Sequence, residues 1–152
     1  MKEAILEHVN ITVEDPKKTA AMLHRLFGWN IRWQGPSLDS GYTVHVGSDN
    51  SYLALYSPGS IQEGSIGKYS LRGGLNHIAL VVEDLDAVKK RVTAEGLTPR
   101  NYGDYEPGRR FYFYDADQVE YEVVSYITQK KAFKNQVKRE LGKMACFGAL
   151  AR

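Results

Sequence analysis

The sequence has few of the features that mark secreted, membrane or nucleic-acid-binding proteins. It holds one cysteine, Cys146, so no disulfide framework can form within the chain and nothing indicates secretion. No apolar run is long enough to cross a bilayer, and the N-terminal MKEAILEHVN lacks the apolar core and cleavage site of a signal peptide. A formal net charge of +2 is too small to favour nucleic acid as a partner. These absences predict a soluble, cytoplasmic protein that binds neither nucleic acid nor a membrane.

The remaining composition is that of an ordinary globular protein. Hydrophobic residues make up 43% of the chain and charged residues 25%, fractions that do not indicate disorder. A length of 152 residues is enough for one domain with a full core, or for two small units that share one.

The C-terminal segment, residues 127–152, differs from the rest of the chain in charge. It carries seven Lys or Arg residues and a single acidic one, Glu140. Four apolar residues recur there at helical spacing: Phe133, Val137, Leu141 and Met144. The pattern predicts a basic amphipathic helix, roughly Lys130–Met144, that docks on its own sheet or on a second subunit. If it docks between subunits, deleting residues 129–152 should convert a dimer into a monomer.

An internal repeat dominates the chain. The segment LEHVNITVED, which begins at Leu6, resembles LNHIALVVED, which begins at Leu75. Five of the ten positions are identical at a constant offset of 69 residues, and His8 and His77 form one of these pairs. Five identities with the same apolar pattern favour a duplication. Two other histidines have no counterpart in the repeat and are expected at the surface: His24 and His45.

A helical pattern follows the Val-Glu-Asp sequence in each half. Asp15 and Asp84 stand where helix N-caps belong, and Pro16 suits a first turn. Gly28 and Gly96 stand where left-handed C-caps belong. These signals predict one helix in each half.

Three β-rich runs follow each helix. They are Ile31–Gln34, Tyr42–Val46 and Ser51–Ser57 in the first half, and Thr98–Asn101, Arg110–Tyr114 and Val119–Tyr126 in the second. The pattern therefore predicts two β-α-β-β-β modules, at residues 1–57 and 75–126. A linker at residues 58–74 joins them, and the tail occupies residues 127–152. The expected fold class is α+β.

The repeat also brings forward candidate metal ligands. A pseudo-twofold arrangement of the halves would bring His8 and His77 near its axis if both face inward. Aligned on the two C-cap glycines, the last strands place Glu122 opposite Ala54, so only the second half supplies a carboxylate there. Two imidazoles and one carboxylate suit Fe, Zn, Ni or Mn and leave positions open for a substrate. Glu120 shares a predicted strand face with Glu122 and is the alternative carboxylate.

Two segments resemble the signatures of one superfamily. FYFYDADQVEYE, residues 111–122, resembles the Phe-Tyr-Phe-x-Asp-Pro-Asp-Gly-x-x-x-Glu signature of the vicinal oxygen chelate superfamily, also called the glyoxalase, bleomycin-resistance and dioxygenase superfamily. LNHIAL, residues 75–80, resembles its strand-opening signature, and the similarity covers residues 5 to about 126. The resemblance implies two paired βαβββ modules in a cup-shaped mixed sheet and a metal chelated by adjacent substrate oxygens. By position, it makes His8, His77 and Glu122 the metal ligands.

Departures from the family's patterns bear on the choice of subfamily. Ala54 stands where glyoxalase I-type lyases commonly have a fourth ligand, which disfavours a standard glyoxalase. Extradiol dioxygenases use His, His and Glu around Fe(II) and a Tyr ten residues before the Glu, which Tyr112 matches. The stretch at residues 50–52, Asn-Ser-Tyr, lacks the acid–base His of those enzymes.

Two other subfamilies are the alternatives. Fosfomycin-resistance thiol transferases use the same ligands with Mn(II) and a Tyr at the position of Tyr112, and Lys131 lies near where they place a phosphonate-binding Arg. Asn10, however, stands in place of their Thr, and the Lys and Ser of their substrate loop are missing from residues 101–108. Bleomycin-resistance-type binders usually lack the metal set that this chain keeps.

The resemblance therefore implies a metal-dependent enzyme, of dioxygenase or lyase type, that acts on a small molecule with Fe(II), Mn(II), Zn(II) or Ni(II). Tyr112 is the candidate catalytic residue, as a hydrogen-bond donor to a substrate anion. The candidate substrate-binding residues are Arg110, Tyr52 and Tyr114. The expected assembly is a homodimer, and the sequence leaves open whether each cup is built within one chain or by exchange between two.

Overall fold

Two βαβββ modules follow each other in the computed structural model, which describes residues 4–61, 69–70, 72–105 and 108–126. The first module comprises β1 His8–Thr12, α1 Pro16–Phe27, β2 Asn30–Pro36, a 3₁₀ turn at Leu38–Ser40, β3 Tyr42–Gly47 and β4 Tyr52–Ser57. The second comprises β5 Ile78–Val81, α2 Leu85–Ala94, β6 Arg100–Tyr105, β7 Gly108–Tyr114 and β8 Glu120–Tyr126. This order confirms the predicted α+β class. The predicted C-terminal helix lies outside the described residues.

The helix ends follow the capping signals in the sequence. The Asp15 carboxylate accepts hydrogen bonds from the backbone N–H groups of Lys17 and Lys18, and the Asp84 carboxylate caps α2 by accepting one from the N–H of Ala87. Gly28 ends α1 in the left-handed region at φ 74°. Gly96 is also left-handed, at φ 77°, but lies one residue beyond the cap residue Glu95. Glycine is favoured at both sites because left-handed backbone is strained for other residues.

Each module forms its own four-stranded sheet with the same strand order. The first sheet runs β1-β4-β3-β2 and the second runs β5-β8-β7-β6. In each, the opening strand pairs in parallel with the last strand, and the other neighbours are antiparallel. This pairing places the start of β1 beside β4 and the start of β5 beside β8, which are the strands that carry Ala54 and Glu122.

The second strand of each module contains an irregularity in its pairing. In β2 the register shifts between Ile31 and Trp33, and in β6 it shifts between Arg100 and Gly103. The strand predicted at residues 98–101 was misplaced for this reason, because β6 continues to Tyr105 through a left-handed Asn101 at φ 50°. A bulge breaks the two-residue alternation on which the prediction depended.

One hydrophobic core serves both modules. It includes Leu23 and Leu26 of α1, Val92 of α2 and the β7 residues Phe111 and Phe113, all fully buried. Polar contacts also cross between the modules. They join Arg25 to Glu95, Arg91 to the Leu26 carbonyl oxygen, and the Glu14 backbone N–H to Asp117. The two halves therefore pack together through their helix-bearing faces.

No helix within the described ranges is long and apolar enough to cross a membrane.

Candidate functional site

His77 and Glu122 meet on the face of the second sheet that lies away from the helices. His77 directly precedes β5, and its Nε2 lies 3.2 Å from Oε2 of Glu122 in β8. Two ligands of one divalent ion, each about 2.1 Å from it, are separated by about 3–3.5 Å for the usual angles. The observed separation therefore fits a shared ion. The other ring nitrogen, Nδ1 of His77, is buried without a hydrogen-bond partner in the described part of the chain.

Arg110 and Tyr112 complete the cluster around Glu122. Nη1 of Arg110 lies 3.2 Å from Oε1 of Glu122, and both side chains are largely buried. The guanidinium also lies over the ring of Tyr105, and its Nε has no partner among the residues described. Tyr112 stands directly opposite Glu122 in the β7–β8 pairing and contacts His77 edge to face. Burial and the charge of Glu122 raise the pKa of the Tyr112 hydroxyl, which therefore keeps its proton at neutral pH.

Glu120 shares this sheet face but has partners of its own. The Tyr69 hydroxyl donates a hydrogen bond of 2.7 Å to Oε2 of Glu120, and this bond raises the pKa of Tyr69 to about 12. Tyr114, directly opposite Glu120 in the register, also hydrogen-bonds to it and lies beneath the guanidinium of Arg100. Of the two carboxylates, Glu122 is thus the one that faces His77.

His8 lies on the corresponding face of the first sheet. Its Nδ1 is 2.8 Å from a carboxylate oxygen of Glu7, and its ring stacks on Tyr52 at 4.9 Å. Within the described ranges, no three His, Cys, Asp or Glu side chains are grouped closely enough to hold a metal ion. The chain therefore brings His77, Glu122, Arg110 and Tyr112 together, and places His8 apart from them with Tyr52.

His45, expected at the surface without a counterpart, has a more specific position. It is half-buried on the same face as His8 and lies directly opposite Ala54, as Tyr112 lies opposite Glu122. His45 is therefore the structural counterpart of Tyr112, although they are 67 residues apart rather than 68. The turn that joins the paired residues Tyr114 and Glu120 is one residue longer than the turn in the first module. His24 is exposed, as expected.

Burial and the nearby charges of His8 and Arg32 lower the pKa of His45. The lowered pKa favours the neutral form of the imidazole, which can accept a proton.

The sheet faces that carry these residues also carry exposed apolar side chains. Trp33 on the first sheet is 49% exposed, and Val81, on the face of the second sheet that carries Glu122, is 53% exposed. A separate groove of about 290 Å³ opens beside His77 and Glu120, with Ile11 and Thr12 on its wall. His77 lines that groove but Glu122 and Tyr112 do not, so the groove lies to one side of the His77–Glu122 pair.

The comparisons with known proteins agree on the fold. The family model of the Glyoxalase/Bleomycin resistance protein/Dioxygenase superfamily matches residues 5–123. No curated protein matches the chain significantly.

Solved structures of similar fold include proteins that differ in their named functions. A glyoxylase/bleomycin resistance protein/dioxygenase domain from Frankia sp. EAN1pec is 20% identical with a TM-score of 0.69, over 82% of this chain and 99% of that one. A Glu-to-Gln mutant of the fosfomycin resistance protein FosX from Listeria monocytogenes, in a complex with Mn(II) and 1S,2S-dihydroxypropylphosphonic acid, is 22% identical with a TM-score of 0.62, over 83% and 95%. TnmS3, an antibiotic-binding protein from Streptomyces sp. CB03234, is 17% identical with a TM-score of 0.62, over 83% and 98%.

Because these sequence identities are low, the likeness to these structures shows a shared fold and not a shared function. The family match, by contrast, extends over both modules and includes His8, His77 and Glu122. The chain belongs to the glyoxalase/bleomycin resistance protein/dioxygenase superfamily.

Proposed function

We propose that this protein is a metal-dependent enzyme that binds a small substrate through two adjacent oxygen atoms, with His8, His77 and Glu122 as the metal ligands. The observation that carries the proposal is the 3.2 Å separation between Nε2 of His77 and Oε2 of Glu122. A carboxylate buried to 7% exposure is costly unless charged or hydrogen-bonding partners compensate it. A divalent ion would provide that compensation.

The partners of Glu122 support its selection over Glu120. Arg110 holds Oε1 of Glu122 and leaves Oε2 directed at His77. Oε2 of Glu120, by contrast, already accepts a hydrogen bond from Tyr69. Second-shell partners of this kind commonly fix the orientation of a ligating side chain.

The third ligand comes from a second copy of the chain in this proposal. His8 is oriented by its Nδ1 contact with Glu7, which leaves Nε2 available for a metal. Since one chain does not group His8 with His77 and Glu122, a homodimer with the first sheet of one subunit facing the second sheet of its partner would complete the set. The exposed Trp33 and Val81 would then lie between the two facing sheets instead of on the outer surface of the dimer.

The residues around the site define what the enzyme would do to its substrate. A bound divalent metal would supply Lewis acidity to two adjacent substrate oxygens. Tyr112, next to His77 and Glu122, would donate a hydrogen bond to the substrate oxygen that becomes negative. His45 supplies a neutral imidazole on the opposing sheet, the kind of group that moves a proton in acid–base chemistry. This arrangement is compatible with extradiol-dioxygenase-like or lyase chemistry.

Two alternatives have specific support. The fosfomycin-resistance type, proposed as a thiol transferase with Mn(II), is favoured by the likeness to FosX, whose bound dihydroxypropylphosphonic acid has two adjacent hydroxyl groups. A metal-free binding protein is favoured by Arg110, because this cation already partners the buried Glu122 without a metal. The likeness to the antibiotic-binding TnmS3 points in the same direction.

Metal analysis of the purified full-length protein separates these functions. We expect one divalent metal per chain, lost on His77→Ala and on Glu122→Gln and retained on His24→Ala, the matched change of an exposed histidine. Iron would favour ring cleavage, manganese the fosfomycin-type reaction, and zinc or nickel an isomerase or lyase. A metal content that neither ligand variant lowers would contradict the enzyme and favour the metal-free binder.

A further inference from the structure

A row of four rings crosses the first sheet, one from each strand. It runs from His8 in β1 through Tyr52 in β4 and His45 in β3 to Trp33 in β2. The ring centroids are separated by 4.9 Å, 4.6 Å and 5.1 Å, which are distances of direct aromatic contact. The row therefore connects a proposed metal ligand to an exposed indole at the far edge of the sheet.

Two features of β2 shape the end of this row. The register shift after Ile31 lets Arg32 and Trp33 both reach the ring face, and the guanidinium of Arg32 lies 4.8 Å from the ring centre of Tyr52. Bulges of this kind commonly redirect a side chain next to an active site. Gly35 leaves room for the indole, since a Cβ there would lie 2.8 Å from Cζ2 of Trp33. The indole of Trp33 therefore packs directly against the backbone of Gly35, where a larger residue would displace it.

The second sheet has no such row within its described residues. Its corresponding face carries charged groups around His77, namely Glu120, Glu122 and Arg110. The two faces of the proposed cup therefore differ in chemistry. One face holds most of the proposed metal ligands and the charged groups, and the other carries the row of aromatic rings.

We infer that the Trp33–His45–Tyr52 row is the surface that selects the substrate, and that it takes a flat aromatic ring lying along it from the metal ligands outward. This inference depends on the proposed function for the position of the substrate oxygens. A flat ring suits the row because stacking needs a planar π face, which a saturated ring lacks. The polar groups in and beside the row, His8, His45 and Arg32, fit a substrate cavity better than a dry subunit contact.

The test uses two diols with the same carbon skeleton, one aromatic and flat and the other saturated. Binding of 2,3-dihydroxynaphthalene and of its saturated counterpart, decahydronaphthalene-2,3-diol, is measured by calorimetry on the full-length protein, with and without a chelator. We expect the aromatic diol to bind more tightly even to the metal-free protein. Trp33→Leu should weaken its binding by about 3- to 10-fold, the usual range for one aromatic contact, and leave the saturated diol unchanged.

Two further variants test whether the effect depends on the position of the Trp33 indole and not on the loss of any exposed aromatic ring. Gly35→Ala keeps the indole but displaces it, and should weaken the aromatic diol in the same direction. Tyr102→Leu removes another exposed ring, which lies on β6 beneath the ammonium group of Lys89 and is 60% exposed. This change should leave the binding of both diols unaltered.

Equal binding of both diols would overturn the inference. So would a Trp33→Leu protein that loses dimer on a sizing column but binds the aromatic diol normally, because the row would then be a subunit contact. A preserved aromatic preference in a protein that never binds metal would contradict the proposed enzyme and leave the inference standing.

Discussion

Arg110 and Arg109 are neighbours in sequence with very different surroundings. Arg110 pairs with Glu122 where both side chains are at most 16% exposed. Arg109 pairs with Asp86 where the two are 46% and 63% exposed. Removing one partner of a buried pair leaves an uncompensated charge, whereas an exposed pair contributes little.

This contrast gives a prediction about stability. Arg110→Met should lower the free energy of unfolding of the chelator-treated protein by about 2 kcal/mol, because Glu122 loses its cation. Arg109→Met should change it by less than about 0.5 kcal/mol. Urea unfolding measures both. If a metal binds at Glu122, adding it should restore much of the stability lost in Arg110→Met, and equal losses in the two variants would contradict this account of the site.

At the scale of elements, the β7–β8 turn contains a buried carboxyl group. Asp115 is 4% exposed, accepts hydrogen bonds from the Val119 backbone N–H and the Tyr121 hydroxyl, and is near Asp117. Burial raises the pKa of Asp115 from its usual 3.8 to about 6. A raised pKa means that the folded state binds this proton more tightly than the unfolded state.

The direction of the raised pKa of Asp115 determines how stability changes with pH. The contribution of Asp115 to stability is complete below about pH 4 and is lost as the pH rises through about 6. Between pH 4 and pH 7, wild type should therefore lose about 2 kcal/mol relative to Asp115→Asn, since one pKa unit corresponds to about 1.4 kcal/mol. Urea unfolding of both proteins across this range measures the difference.

The N-cap of α1 provides a control of opposite sign. Hydrogen bonds from the backbone N–H groups of Lys18 and Lys17 lower the pKa of Asp15. Its contribution is present above its unfolded pKa and lost as the pH falls, so Asp15→Asn should cost more at pH 7 than at pH 3. The same pH trend in both variants would contradict the assignments.

At the scale of the molecule, the proposed dimer predicts complementation between two inactive variants. His8→Ala and Glu122→Gln should each lose the metal as homodimers. A mixed dimer has one site with both defects and one with neither, so random reassociation should restore about a quarter of the wild-type metal content. Metal analysis after co-refolding of equal amounts measures this.

The alternative of a cup within one chain makes the opposite prediction. Each chain would then carry its own defect, and mixing would restore nothing. A mixture of His77→Ala with Glu122→Gln is the matched control, because both residues lie on the same sheet of one chain. That mixture should stay without metal in either architecture.

Local sequence signals predicted much of the fold. The caps at Asp15 and Asp84, the helices they begin and the glycines that end them depend on residues within one or two turns. The resemblance at residues 111–122 likewise identified Glu122 and Tyr112, which stand opposite each other in the β7–β8 pairing. Both kinds of signal lie within a short segment of chain, where spacing and geometry are directly related.

The sequence by itself determined the duplication and the α+β class, because each follows from a repeat or a short-range period. The choice of Glu122 over Glu120 as the carboxylate facing His77 needed the structure. Only the tertiary structure decided that His8 stands apart from that pair and that His45 is the counterpart of Tyr112. It also decided that four rings from four strands form one row. The physical reason is that a single added residue, in a turn or a bulge, changes both the offset of the repeat and the face on which a strand residue lies.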